Sequence, residues 1–269
     1  VRPSDHTEPL AAAVAQRWGC RPGVPVMLGA ADSVLGAYGL GVHEPGPVAA
    51  VLGTSAVLIA EADGPTVDPA GVAIVTPTAT GGFAREIDLI SLGSAIGWLG
   101  GLFGLDAPRL MQLASTARVE QAPLVLPYLA PGEQGIRWDP NLFGSIGGLS
   151  LRTGRAEFAL GLVAGLVHEL SRGVEVLSPD GEILAGGSVA SNRFFRQQLA
   201  DATGRIVRFD PDGKDSSTIG AARLAAAHVL GGSTDPVVER DATLPDVAAR
   251  ALWTQRAAEH EAELERRRP

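Results

Sequence analysis

The stretch "GEILAGGSVASNRFFRQQLADATGRIVRFD", residues 181–210, carries a strand, a glycine turn, a helix and a second strand in immediate succession. "GEILAGGS" is a short apolar strand ending in glycines, "SNRFFRQQLADATG" has the apolar spacing of a helix closed by Gly204, and "RIVRFD" returns to strand. Strand–helix alternation of this kind predicts an α/β core. On its C-terminal side "SSTIGAARLAAAHVL" reads as a helix. The tail "DVAARALWTQRAAEHEAELERRRP" is a charged helix whose charge is most simply a solvated face.

The N-terminal side extends the same pattern. "RAEFALGLVAGLVHELSRGVEVL" has apolar residues at helical spacing, and "APLVLPYLAPGEQGIRWDPNLFGSIGGLSL" before it is loop-rich. "GVAIVTP" and "FAREIDLI" have strand character and "GSAIGWLGGLFG" is helix-like. "VAAVLGTSAVLIAEA" predicts two strands joined by a tight turn at Gly53-Thr54-Ser55. Further upstream, "VPVMLGA" predicts a strand covered on both faces, ending just before a lone acid, Asp32. "SVLGAYGLG" after it is helical, and "EPLAAAVAQRWG" is a short helix closed by "CRPG".

Composition narrows the classes. With 45% hydrophobic and 19% charged residues the chain is an ordinary globular protein, and a net charge of -8 disfavours nucleic acid or an anionic membrane as partner. No apolar run approaches the ~18–20 residues of a membrane span, so a cytoplasmic location is expected. The single cysteine, Cys20, excludes an internal disulfide and a cysteine-based zinc site. A first residue Val1 in place of methionine suggests a processed product, a trimmed chain or a fragment.

Several stretches are candidates for chemistry. A buried, unpaired carboxylate is costly, so Asp32 is either a helix cap or a group held for reaction. Gly53-Thr54-Ser55 is either a hairpin requiring a glycine with positive φ or a cradle whose amides and hydroxyls face anionic oxygens. "LAGGSVASN", residues 184–192, is either a helix start capped by Ser188 or Ser191 or a turn that lets a nucleotide approach the backbone closely. A Walker loop is excluded because the only lysine, Lys214, lacks the required glycine spacing. Glu133, Arg137 and Asp139 read as charges on a surface loop. The five histidines are scattered without metal-ligand spacing and read as surface or helix-face residues, so no metal ligand is assigned. No G-x-S-x-G elbow supports serine hydrolase chemistry.

The order of these motifs is more specific than any one of them. The strand ending "GAAD", the hairpin "LGTS", "PYLAPGEQGIRWDPNLFGSIGGLSL", a long helix, "AGGSVASN" and "SSTIGAARLAA" together resemble the carboxy-terminal half of the FGGY carbohydrate kinases, over roughly residues 24–230. The resemblance implies an actin-like, ribonuclease-H-like ATPase domain, the C-terminal half of a two-domain sugar kinase. It divides the chain into a connector from the amino-terminal half at 1–23, the ATPase domain at 24–235 and a C-terminal helix at 236–269 packed on that domain or extending from it. The reaction implied is phosphorylation of a sugar or polyol by ATP with Mg2+, with a ketopentose such as xylulose as the expected acceptor. By the same resemblance Asp32 is the catalytic base. Gly53, Thr54 and Ser55 form a phosphate turn, and Gly186, Gly187 and Ser188, with Asn192 nearby, form the adenosine-side turn. Asp215 stands just ahead of the family's "GAA" helix, and Ala30, Ala31 and Gly36 leave room for the sugar. The chain departs from the family's "GER" motif at Gly132-Glu133-Gln134-Gly135-Ile136. It also has no counterpart of the D-x-G-T phosphate loop of the amino-terminal half, which is the expected partner and carries most of the sugar-binding residues. A homodimer is a further possibility, and a non-catalytic actin-like module that binds nucleotide or protein is the alternative function.

Overall fold

Seven strands form the central sheet of the computed structural model, in the order β11-β10-β9-β3-β4-β6-β5. The structure describes residues 2–130, 135–178, 180–211, 215–231 and 241–267. β3 (Val48–Leu52), β9 (Ile183–Gly186) and β10 (Val207–Phe209) run parallel. β4 (Ala56–Ala62), β6 (Phe83–Leu89) and β5 (Ile74–Pro77) extend one side in antiparallel steps, and β11 (Asp241–Thr243) closes the other antiparallel to β10. The predicted α/β core is therefore present, with a parallel centre and antiparallel margins.

Alternation along β3 explains why this strand reads as one apolar run. Val48, Ala50 and Leu52 join the large core with α5 (Arg155–Leu177) and α6 (Arg193–Thr203), while Ala49 joins Ala37 and Leu40 on the opposite face. A strand covered on both sides has no polar register to display. α5 is buried over most of its length, and Glu157 holds its start by accepting the Gly154 amide at 2.9 Å.

The other face carries α2 (Asp32–Gly39) and α7 (Ser216–Leu230), which cross backbone to backbone. A Cβ on Gly220 would lie 1.8 Å from the Leu35 carbonyl oxygen, and one on Gly39 would lie 2.1 Å from that of Ser216. The small residues of "LGAYGLG" and "TIGAA" thus let two helices touch. Gly36 belongs to the same contact, facing Val51 and Ser217 at 3.2 and 3.3 Å, so its smallness serves helix packing rather than sugar clearance. α3 (Gly93–Phe103) and α4 (Ala107–Ala114) cover the α5 side, and β7 (Leu124–Leu126) pairs with β8 (Ser145–Gly147) in a separate ribbon. Asp106 caps α4, a helix the sequence reading did not separate from its surroundings.

Two expectations require correction. "VPVMLGA" is not a sheet strand buried on both faces. Only Pro25–Met27 is extended, as β2, paired with β1 (Thr7–Pro9) in a two-stranded ribbon around α1 (Ala12–Trp18), and Val26 and Leu28 are 49% and 61% exposed. An apolar run alone does not say which surface will cover it. The tail helix, α8 (Val247–Arg267), is not simply solvated, because Trp253, His260 and Leu264 are buried against the body.

Candidate active site

β3 and β9 are register partners, Val51 opposite Gly186, so their C-terminal turns emerge side by side. Gly187 follows with φ 95°, and a Cβ there would lie 2.5 Å from the Leu52 carbonyl oxygen. Its glycine is demanded by the chain's own packing. The Val189 amide donates to that same Leu52 carbonyl at 2.9 Å, tying the second turn to the first. Asn192, rather than Ser188 or Ser191, caps α6, accepting the Phe195 amide at 3.1 Å. Ser191 instead donates its hydroxyl to the Ser188 carbonyl at 2.7 Å.

Gly53 behaves differently from Gly187. It is outside the left-handed region, so the hairpin does not need a glycine there for positive φ, and a Cβ would meet nothing closer than the Ser55 carbonyl at 3.9 Å. Among the described residues, neither backbone conformation nor packing accounts for it. The carbonyls of this turn are taken by α3: the Gly53 oxygen accepts the Gly93 amide at 3.1 Å, and the Thr54 oxygen accepts the Leu92 and Ser94 amides at 3.1 Å each. Thr54 and Ser55 are exposed.

Between these turns lies a groove of about 610 Å³ that includes Gly53, Thr54, Ser188 and Asn192 in its lining. Ile96 and Met111 give it an apolar wall. The N-terminal ends of α3 (Gly93, Ser94), α4 (Ala107, Pro108) and α6 (Ser191, Asn192) all border it. Three helix dipoles therefore present their positive ends to one space, an arrangement that favours an anion. Among the described residues lining it there is no lysine or arginine. Ser94 and the α4 start were not identified from sequence; the glycine-rich "LGS" at 92–94 is their only local sign.

Asp32 occupies the first position of α2 and is exposed, contrary to the buried carboxylate expected. The reason is β2, which leads to it through the open ribbon and not through the sheet. Its Oδ1 accepts the Ser33 amide at 2.9 Å, and its carbonyl accepts the Ser217 hydroxyl at 2.8 Å. Near it is Glu86 of β6, a buried acid that sequence reasoning missed within the strand pattern of "FAREIDLI". Burial and the neighbouring Asp88 carboxylate raise the Glu86 pKa, opposed by hydrogen bonds to Ser33 and Thr76, with Asp32 adding to the rise. Asp32 does not line the groove between the two turns. It lies instead on the helix that abuts β3 through Gly36.

Arg137 departs from the surface-loop reading, and His168 and His260 lie on buried helix faces, not at the surface. The Arg137 side chain is only 8% exposed and ion-paired to Glu261 at 2.5 Å, with Glu169 at 4.0 Å. His168 meets Glu261 at 3.1 Å, and Tyr128 donates to Glu169 at 2.8 Å. α5 and α8 bring His168 and His260 together from distant sequence positions, with ring centroids 4.0 Å apart, which spacing along the chain could not reveal. Ligand atoms of His168, Glu169 and His260 lie within 4.8 Å of one another. The two ring planes are tilted by 39°, and Arg137 supplies positive charge beside Glu169. Glu133 lies outside the described residues, as does Lys214, and Asp139 accepts the Asn141 amide within its own loop at 2.9 Å.

Comparison with known proteins places this geometry in a family. The model of the FGGY family of carbohydrate kinases, C-terminal domain, matches residues 48–229, from the start of β3 into α7, with Asp32 ahead of the matched segment. The chain is 33% identical to a xylulose kinase of Klebsiella pneumoniae over 230 residues, covering 82% of this chain and 47% of that protein. It is 30% identical to a xylulose kinase of Escherichia coli over 237 residues, with the same coverage of 82% and 47%. The chain thus spans about half the length of the curated relatives it matches. A ligand-bound xylulose kinase structure from Lactobacillus acidophilus superposes with a TM-score of 0.86 at 19% identity, covering 98% of this chain and 56% of the other, which establishes the fold. Motif order, sheet topology and the family match agree: this chain belongs to the FGGY family of carbohydrate kinases and corresponds to its C-terminal domain.

Proposed function

We propose that this chain is the nucleotide-binding half of an ATP-dependent sugar or polyol kinase, with a ketopentose such as xylulose as acceptor. The observation that carries the reading is the meeting of the Gly53 turn, the Ser188–Asn192 segment and three helix N-termini at one groove. An adenine nucleotide fits its chemistry. Gly53 leaves space that no described residue fills, Thr54 and Ser188 offer hydroxyls, and the Ile96 and Met111 wall suits a flat apolar base. With no lysine or arginine among the described lining residues, backbone dipoles and hydroxyls leave much of a triphosphate's charge unneutralised, which favours Mg2+ as its companion. When bound, Mg-ATP supplies the transferable phosphoryl group.

The chain's own residues then hold and orient. The Gly53–Ser55 turn is braced by α3 through its carbonyls, so its position is set before a ligand arrives. Asp32 orients the acceptor hydroxyl and takes its proton. Glu86, kept uncharged more readily by burial, limits the negative charge around that base. The amino-terminal half of the relatives is the partner expected to complete the cleft and shield it from water.

Titration calorimetry with the non-hydrolysable analogue AMP-PNP and Mg2+ tests the nucleotide site, and saturable binding is expected. A coupled ADP-release assay with xylulose, ribulose, gluconate and glycerol, with the amino-terminal half supplied, then tests acceptor and transfer. Absence of nucleotide binding overturns the reading. Binding without turnover on any acceptor favours the alternative, a non-catalytic nucleotide-binding module.

A further inference from the structure

Arg196, one turn into α6, is 3% exposed, and its guanidinium is engaged on every side. Nη1 donates to the Ala190 carbonyl at 2.7 Å and to the Ser191 carbonyl at 3.0 Å. Nη2 donates to Asp241 Oδ2 at 2.6 Å, and Nε reaches Thr243 Oγ1 at 3.4 Å. The guanidinium carbon lies 4.5 Å from the centre of the Phe209 ring. The two carbonyls belong to the segment running from Ser188 to Asn192 that walls the groove. Asp241 and Thr243 are on β11, the edge strand, and Phe209 ends β10.

Closing α6 does not by itself require this arginine. Asn192 already caps the helix, and the Ser191 and Asn192 amides are taken by the Gly187 and Val189 carbonyls. Arg196 instead holds two consecutive carbonyls of a non-helical segment from behind, with the counter-charge on a different strand. Only a planar fork with donors along several edges can do this while stacking on a ring, so lysine is no equivalent here.

We propose that Arg196 is a positioning residue for the nucleotide turn. It clamps Ala190 and Ser191 to β11, fixes where Ser188 and Asn192 stand in the groove, and couples nucleotide affinity to the docking of the edge strand. The inference rests on the nucleotide reading above and adds to it a residue that touches no ligand and a strand outside the groove.

The experiment combines amide hydrogen exchange with Mg-AMP-PNP calorimetry on the full chain and its R196M, R196K and D241N variants. Loss of two charge-assisted hydrogen bonds in R196M is expected to speed exchange at residues 189–192 and weaken the analogue, each by about tenfold or more, while β3 exchange stays unchanged. R196K is expected to be intermediate. D241N, which keeps both carbonyl bonds, is expected to be mildest. A folded R196M that binds the analogue normally overturns the proposal, as does loosening spread evenly over β3 and α6, the mark of a merely structural role. If R196M does not fold, R196K is judged by the same criteria. A wild-type chain that binds no AMP-PNP overturns the nucleotide reading and the affinity coupling with it. The exchange pattern then separately decides whether Arg196 clamps the turn.

Discussion

A carboxylate at the first position of α2 lies at the positive end of that helix, where an exposed acid is inexpensive. The proposed role of Asp32 as base therefore needs no prior burial of its carboxylate. In a complete kinase, Asp32→Asn is expected to cut sugar phosphorylation by about 10²-fold or more while nucleotide affinity changes little, because an amide cannot accept the hydroxyl proton. Steady-state kinetics beside calorimetry checks this, and near-normal turnover would leave Asp32 as a helix-start residue only. The two turn glycines make a contrasting pair. Gly53→Val is expected to fold normally and lose nucleotide affinity, since its Cβ meets only open space and one carbonyl at 3.9 Å. Gly187→Val is expected to lower the melting temperature, because it combines positive φ with a 2.5 Å approach to Leu52 and overpacking alone costs about 1–3 kcal/mol. Equal thermal stability of the two variants would contradict that distinction.

At the level of elements, the docking of α8 on α5 depends on groups that titrate. Burial and the adjacent His168 lower the His260 pKa to about 3, from the ordinary imidazole value of 6.5. The His168 hydrogen bond, with help from Arg137, lowers that of Glu261 to about 2, from 4.5. Between pH 6.5 and 3 the unfolded chain binds a proton at His260 that the folded chain refuses, so stability falls as pH falls. Glu261 contributes stability above pH 4.5 that is lost on descending toward 2, in the same direction. Glu169, raised by burial, works against both by favouring proton uptake in the folded state. His260→Gln isolates one part: its melting temperature is expected to decline less steeply than wild type between pH 6.5 and 4.5 in a calorimetric series. Parallel curves would mean His260 does not contribute to this dependence.

For the molecule as a whole, an α/β core without the other half of its relatives' length should fold yet transfer no phosphoryl group efficiently. Base, acceptor and nucleotide must be held together, an advantage that can reach about 7–11 kcal/mol. The chain alone is expected to bind Mg-AMP-PNP weakly and to show no sugar-dependent ADP release, and robust turnover by the isolated chain would overturn this. Exposed Val26, Leu28, Phe143 and Leu151 are expected to promote concentration-dependent self-association, measurable by sedimentation velocity.

Local pattern was enough to determine much of this protein. The strand–helix–strand unit at 181–210, the long helix at 155–177 and the helix at 216–230 are legible because burial on one helical stripe or on both sheet faces leaves a periodic or continuous apolar record. Gly53 and Gly187 were legible as special positions. Only the fold separates them, since one glycine is required by Leu52 and the other by nothing among the described residues. Tertiary structure alone decided that "VPVMLGA" is an exposed ribbon, that Asp32 is solvent-facing and that Glu86 stands near it. It also joined His168 with His260 and Arg137 with Glu261, and stationed Arg196 behind the Ser188–Asn192 segment. Each depends on which surfaces meet across the sheet or between α5 and α8, and burial and charge pairing between residues remote along the chain leave no periodic signal in the sequence.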